Sequence, residues 1–186
     1  MTRSLSCALA VLFAVLAAPE VRAAGAGDPI RIGQVIPITG EAAEAGRYHK
    51  YGAELAVEQV NKAGGIKGRK IELVQEDDKT TNPGAVAALQ RLLEDKDMPA
   101  VIGSIRSTQV QAMLPTVKEA AIPFMIGGTN YGLTHQGNPW VFRFRPHDGF
   151  SAQVIARFAV EELKLKKVAV IHSTDAFGSG GRDMVV

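Results

Sequence analysis

From residue 30 onward, short apolar runs alternate with stretches of helical periodicity, and few architectures accommodate that order. "IRIGQVIPI" (30–38) reads as a first strand, a helix covers about 46–62, and a second strand spans 70–76. Asn82-Pro83 reads as a cap followed by a proline in the first helical turn, and the helix behind it turns Ala85, Val86, Leu89 and Leu93 inward. "AVIGS" (100–104) is a third strand. The next helix carries a stripe of Val110, Met113, Leu114, Val117 and Ala121, with Pro115 inside it predicting a kink or an irregular turn. "IPFMIG" (122–127) and "WVFRF" (140–144) complete five strands. Repeated βα units of this size predict an α/β fold, a doubly wound and mostly parallel sheet with helices on both faces. Such sheets bind ligands outside the carboxyl ends of their strands, and three loops leave those ends: "TGEAAEAG", "SIRSTQ" and "GGTNYG".

After "RPHDG" (145–149) the cycle restarts. Phe150, Val154, Ile155, Phe158 and Ala159 mark a helix, "KKVAVIH" (166–172) a strand and "STDAFGSGG" a loop, and the sequence ends at Val186. One helix–strand pair is too little for a second core. The expectation is a first lobe over 24–147 and the opening of an incomplete second lobe over 148–186, with Phe150 and Phe158 poorly covered.

The glycines of "NKAGGIKGRKIELV" (61–74) invite comparison with a phosphate-binding loop. Upstream, Ala53, Ala56, Val57 and Val60 trace one face of a helix; downstream, Ile71 and Leu73 alternate with Glu72 as in a strand. A phosphate cradle needs its glycines between a strand and a helix start, where free N–H groups face the anion. Here the order is helix, glycines, strand. The glycines are turn punctuation.

Residues 1–23 read as a signal peptide: Arg3 ahead of an apolar run, then Val21-Arg22-Ala23 with small residues at −3 and −1 of a cleavage site. The apolar run is too short to span a bilayer. Cys7 is the only cysteine and lies in that leader, which leaves no disulfide framework. The chain has 21 basic and 19 acidic residues, of which the leader holds Arg3, Arg22 and Glu20, so the rest is nearly neutral. No basic stripe interrupts it, and nucleic acid is excluded as a partner on that ground. The expectation is an exported, soluble bacterial protein.

No catalytic set emerges. His49, His135, His147 and His172 lack metal-ligand spacing, so no metal or cofactor is expected, and Ser107 has no nucleophile elbow around it. Asp77-Asp78 reads as a solvated strand end. "SIRSTQ" is more informative: Ser107 opens a helix, so its hydroxyl can cap while the N–H groups of Thr108 and Gln109 lack intrahelical partners. A plain N-cap and a carboxylate site both fit. Thr129 follows Gly127-Gly128, where hydroxyl and carbonyl oxygens can hold an ammonium or form an ordinary turn.

"IRIGQVIPITG", "GAELAVEQVNKAGGIKGRKIELVQEDD", "AVIGSIRST", "GGTNYGLT", "VFRFRPHDG" and "KKVAVIHSTDAFGSG" together resemble successive landmarks of the leucine/isoleucine/valine-binding proteins, in order from about residue 30 to 181. These are type I periplasmic binding proteins that serve ABC-type importers. The resemblance implies a two-lobed, non-enzymatic protein, monomeric and without cofactor, that closes on an amino acid or related small carboxylate and hands it to a membrane permease. It implies that Ser107 and Thr108 take the α-carboxylate and that the Gly128 carbonyl and Thr129 hydroxyl take the ammonium. Asp148 and Phe177 fall at positions lining the cleft. Two departures stand out: Ala45 where the first loop often carries an aromatic residue, and Arg106 beside the serine. Arg106 can pair with a second acid group or face solvent. A secreted α/β enzyme and a ligand-sensing domain of the same fold are the alternatives.

Overall fold

The computed structural model describes residues 27–185, so the leader and its cleavage point after Ala23 lie outside the described residues. Five strands, β1 (Ile30–Ile36), β2 (Ile71–Asp77), β3 (Val101–Gly103), β4 (Phe124–Ile126) and β5 (Val141–Arg143), form one sheet in the order β2-β1-β3-β4-β5. Every neighbouring pair is parallel; Gly33 sits between Val74 and Val101, and Met125 between Ile102 and Phe142. The helices are α1 (Ala43–Lys62), α2 (Asn82–Leu92), α3 (Ser107–Ala120), α4 (Asp148–Arg157) and α5 (Ala176–Val185).

The strand order assigns the helices to faces. Right-handed crossovers that step one way from β1 to β2 and the other way from β2 to β3 place their helices on opposite sides of the sheet. Thus α1 lies on one face, and α2 and α3 share the other. The shared face holds the core: Val35, Val101, Phe124, Ile126 and Val141 from the sheet meet Leu89 and Leu92 of α2 and Val110, Met113 and Val117 of α3, all buried. The opposite face is thinner. Ile102 and Met125 are half-buried, Phe142 is 48% exposed, and the only buried residue of α1 is Gly46.

Several expectations shift in detail. The cap of α2 is Thr81, not Asn82; its hydroxyl accepts the Gly84 N–H at 3.0 Å. The buried residues of α2 are Ala85, Ala88, Leu89 and Leu92, while Val86 and Leu93 pack at the edge of the core. α3 runs through Pro115 to Ala120. Proline leaves the Gln111 carbonyl without its helical donor, a loss that water offsets because Gln111 is exposed. Ala121 ends the stripe as an exposed left-handed cap with φ 50°. In the glycine cluster, Gly64 (φ 103°), Gly65 (φ 78°) and Gly68 (φ 81°) bend the chain into a tight turn closed by Ile66 and Arg69. A Cβ on Gly65 would stand 2.0 Å from the Arg69 carbonyl oxygen, which leaves glycine as the residue that fits.

The strand expected at 166–172 is not formed. None of these residues pairs with a strand of the sheet, and Val168, Val170 and Ile171 are 59%, 40% and 98% exposed. An extended segment becomes a strand only when a neighbour takes its backbone groups. α4 continues as a π-helical turn over Phe158–Glu162, with Phe150 57% and Phe158 56% exposed, so the poor cover expected there is observed.

Candidate functional site

The strand order reverses between β1 and β3, and the loops at that carboxyl edge are tied by Asp77, the last residue of β2, and by Asp78 after it. Asp77 Oδ1 accepts the N–H groups of Ile38, Thr39 and Lys79 at 2.9, 3.1 and 2.8 Å, and its Oδ2 takes the Thr39 hydroxyl at 2.6 Å. Burial alone would raise the Asp77 pKa, but these bonds outweigh it and the net shift is downward. Asp78 is fully buried, with Oδ2 taking the Ser104 hydroxyl at 2.8 Å and Oδ1 the Thr80 N–H at 2.7 Å. Burial is the main reason its pKa rises, with Asp77 adding to it against the bonds from Ser104 and Thr80. The pair is therefore an anchor for the β1, β2 and β3 loops, not the solvated strand end its sequence suggests.

On that frame, α3 begins at Ser107 with Arg106 as its cap residue, and no side chain caps it. The Ser107 hydroxyl is turned the other way. It accepts the N–H groups of Thr129 and Asn130, both at 3.1 Å, joining the loop after β3 to the loop after β4. Its proton remains available to donate. Among the described residues no acceptor meets the N–H of Thr108 or Gln109, so the helix terminus keeps open donors. The loop after β4 is braced from β5: Arg143 Nε donates to the Gly128 carbonyl at 3.0 Å and Nη2 to the Asn130 carbonyl at 2.5 Å. Thr129 gives its own carbonyl to the Asp148 N–H at 2.9 Å.

A cavity of about 300 Å³ opens here, lined by Ile105, Arg106, Ser107, Thr108, Thr129, Arg145, Asp175 and Phe177. That volume is at the lower end of ordinary small-molecule sites. Five of the expected residues (Arg106, Ser107, Thr108, Thr129 and Phe177) meet in it. Gly128 does not line it, and its carbonyl already serves Arg143, with one lone pair left over. Asp148 also lies outside. It borders an adjoining hollow with Ile155, Ile171 and Phe177, and its Oδ2 is buried without a partner.

Arg106 does not await a partner: its guanidinium meets Glu41 at 2.9 Å, from the loop before α1, in a pair open to solvent. The Thr108 hydroxyl donates to Asp175 Oδ2 at 3.2 Å. The Gly178 N–H and the Ser173 hydroxyl, with smaller contributions from Thr108 and Arg106, hold the Asp175 carboxyl below its ordinary range despite its partial burial. Asn130 Nδ2 donates to the Ala176 carbonyl beside it at 2.5 Å. Three lining residues, Ile105, Arg145 and Asp175, are not singled out by the sequence. Arg145 stands two residues beyond β5, and a charged side chain just past a strand's carboxyl end is the signal that would have flagged it.

A parallel sheet with its switch point beside a cavity of hydroxyls, open N–H groups and charges is a doubly wound α/β lobe of the ligand-holding kind. The family model described as periplasmic binding protein matches residues 29–186, and the chain belongs to that family. It is 37% identical over 163 residues to "Leu/Ile/Val-binding protein homolog 3" of Brucella melitensis, covering 87% of this chain and 44% of the relative. It is 38% identical over 153 residues to "Amino acid binding protein" of Pseudomonas aeruginosa, covering 82% and 41%. The branched-chain amino acid transporter substrate binding protein of Streptococcus pneumoniae, solved in complex with isoleucine, superposes with a TM-score of 0.77 at 29% identity, covering 84% of this chain and 45% of that one. The chain thus spans less than half the length of these relatives.

Proposed function

We propose that residues 24–147 form the first lobe, and 148–186 the opening of the second, of a periplasmic solute-binding component that feeds the membrane permease of an ABC-type importer. The protein works by capture and without turnover, as a monomer whose lobes hinge shut on an amino acid or related small carboxylate. Removal of a leader after Ala23 would release it into the periplasm.

The observation carrying this reading is the convergence of Ser107, Thr108, Thr129 and Phe177 on one cavity at the carboxyl edge of β3 and β4. In it, the Ser107 proton and the open N–H groups of Thr108 and Gln109 bind the ligand carboxylate, aided by the α3 dipole. The Thr129 hydroxyl takes an ammonium, and the Gly128 carbonyl, engaged by Arg143 and outside the cavity lining, joins only through its remaining lone pair. Phe177 packs on the ligand body, and Asp148 acts from the adjoining hollow.

The test is an NMR titration of the chain with a panel of amino acids and small acids. Backbone amides of Thr108, Gln109 and Thr129 should move in a saturable way at millimolar concentrations, since a single lobe closes nothing over the ligand. Shifts confined to other surfaces, or hydrolysis of an ester or phosphate in a parallel screen, would overturn the reading.

A further inference from the structure

Two guanidiniums and one carboxylate line the cavity: Arg106, Arg145 and Asp175. Asp175 is already satisfied by Thr108, Ser173 and Gly178. Arg106 is held by Glu41 on the approach to α1, but that pair is exposed, 36% on one side chain and 72% on the other, so a ligand group can displace it at little cost. Among the described residues no carboxylate pairs with Arg145. Arg145 reaches the cavity from the loop after β5. His49 of α1 has its pKa lowered chiefly by burial and further by Arg145. Both positive charges therefore line the same cavity as the donors that Ser107 and Thr108 present at the start of α3.

We propose that the cavity takes a ligand with two carboxylates, one on the Ser107–Thr108 terminus of α3 and the second between Arg106 and Arg145. This rests on the solute-capture reading and names its substrate class. An aliphatic ligand would strip water from Arg145 and return no anion, an unfavourable exchange for a guanidinium. A second carboxylate supplies the anion, and the planar guanidinium fork matches it in bidentate geometry. A cavity of about 300 Å³ admits a ligand of this size.

The experiment titrates the chain with glutamate, succinate and leucine, reading the amides of Thr108, Gln109 and Thr129. At least one dicarboxylate should saturate these shifts at a concentration roughly ten-fold or more below leucine, the return expected of one charge-assisted contact. Glutamate ahead of succinate identifies an amino dicarboxylate, and the reverse a plain dicarboxylate; either supports the proposal. In Arg145→Gln and in Arg106→Gln, each checked for an unchanged amide spectrum elsewhere, the dicarboxylate-to-leucine preference should fall about ten-fold. Leucine moving the site amides at lower concentration than both dicarboxylates overturns the proposal and leaves the solute-capture reading standing. So does an unchanged preference in both arginine variants. If none of the three ligands moves those amides, both readings fall.

Discussion

The Ser104 hydroxyl donates a 2.8 Å hydrogen bond to Asp78 Oδ2, and both residues are fully buried. A carboxyl group with no access to water depends on such donors. Ser104→Ala should therefore cost about 1–3 kcal/mol in urea unfolding, the range for stranding a buried acceptor. The cost should be larger above the raised Asp78 pKa, where the carboxyl is charged, than in acid. An equal cost at both would show that the hydroxyl does not serve the carboxylate.

Asp78 also predicts a pH signature. Its folded pKa is raised, mainly by burial, so its favourable contribution is complete below the ordinary carboxyl pKa and is lost as pH rises through the raised one. Asp78→Asn removes that loss. The stability of the variant minus that of the wild type should climb across this window and then level off. A flat difference across the window would contradict the assignment. Asp77 and Asp175 run the other way, because their lowered pKa values contribute stability that disappears as pH falls.

Ser107→Ala removes the acceptor for two backbone donors, Thr129 and Asn130. The expected destabilisation is about 1–3 kcal/mol. Hydrogen exchange should accelerate at those two amides ahead of the rest of the sheet. If both keep their protection, the two loops are joined by something other than this hydroxyl.

Ile171 is 98% exposed, close in sequence to Val168 and Val170, at 59% and 40%. Ile171→Lys should leave the unfolding midpoint within about 0.5 kcal/mol of the wild type, as substitutions at open surface do. It should reduce self-association at high concentration, read by light scattering, because the apolar patch is broken by a charge. Unchanged scattering would mean that this segment is not what drives association.

The βα alternation was legible because each element declares itself locally. Val110, Met113, Leu114 and Val117 keep helical spacing, and all four are buried. Strand periodicity was less reliable at 166–172, where Val168, Val170 and Ile171 have the right composition but no neighbouring strand to pair with. What the sequence hides is contact between distant positions. Asp77-Asp78 looks like a wet strand end until Ser104, 26 residues on, supplies the donor that lets Asp78 be buried. Ser107 has the composition of an N-cap, yet its hydroxyl serves a loop 22 and 23 residues away. Thr108 and Asp175, 67 positions apart, meet only because α5 folds back against α3.

The double acceptance at Ser107 has a consequence for molecular discrimination. A serine hydroxyl normally spins, offering a proton to one visitor and a lone pair to the next. Here two backbone amides occupy both lone pairs, so the rotor is locked before any guest arrives. The group can speak only as a donor. It therefore distinguishes an oxygen from an isosteric NH₂ at the same spot, accepting the carboxyl end of a guest and rejecting the amide nitrogen of its carboxamide. Because the orientation is already fixed, little further torsional entropy is lost when the guest docks.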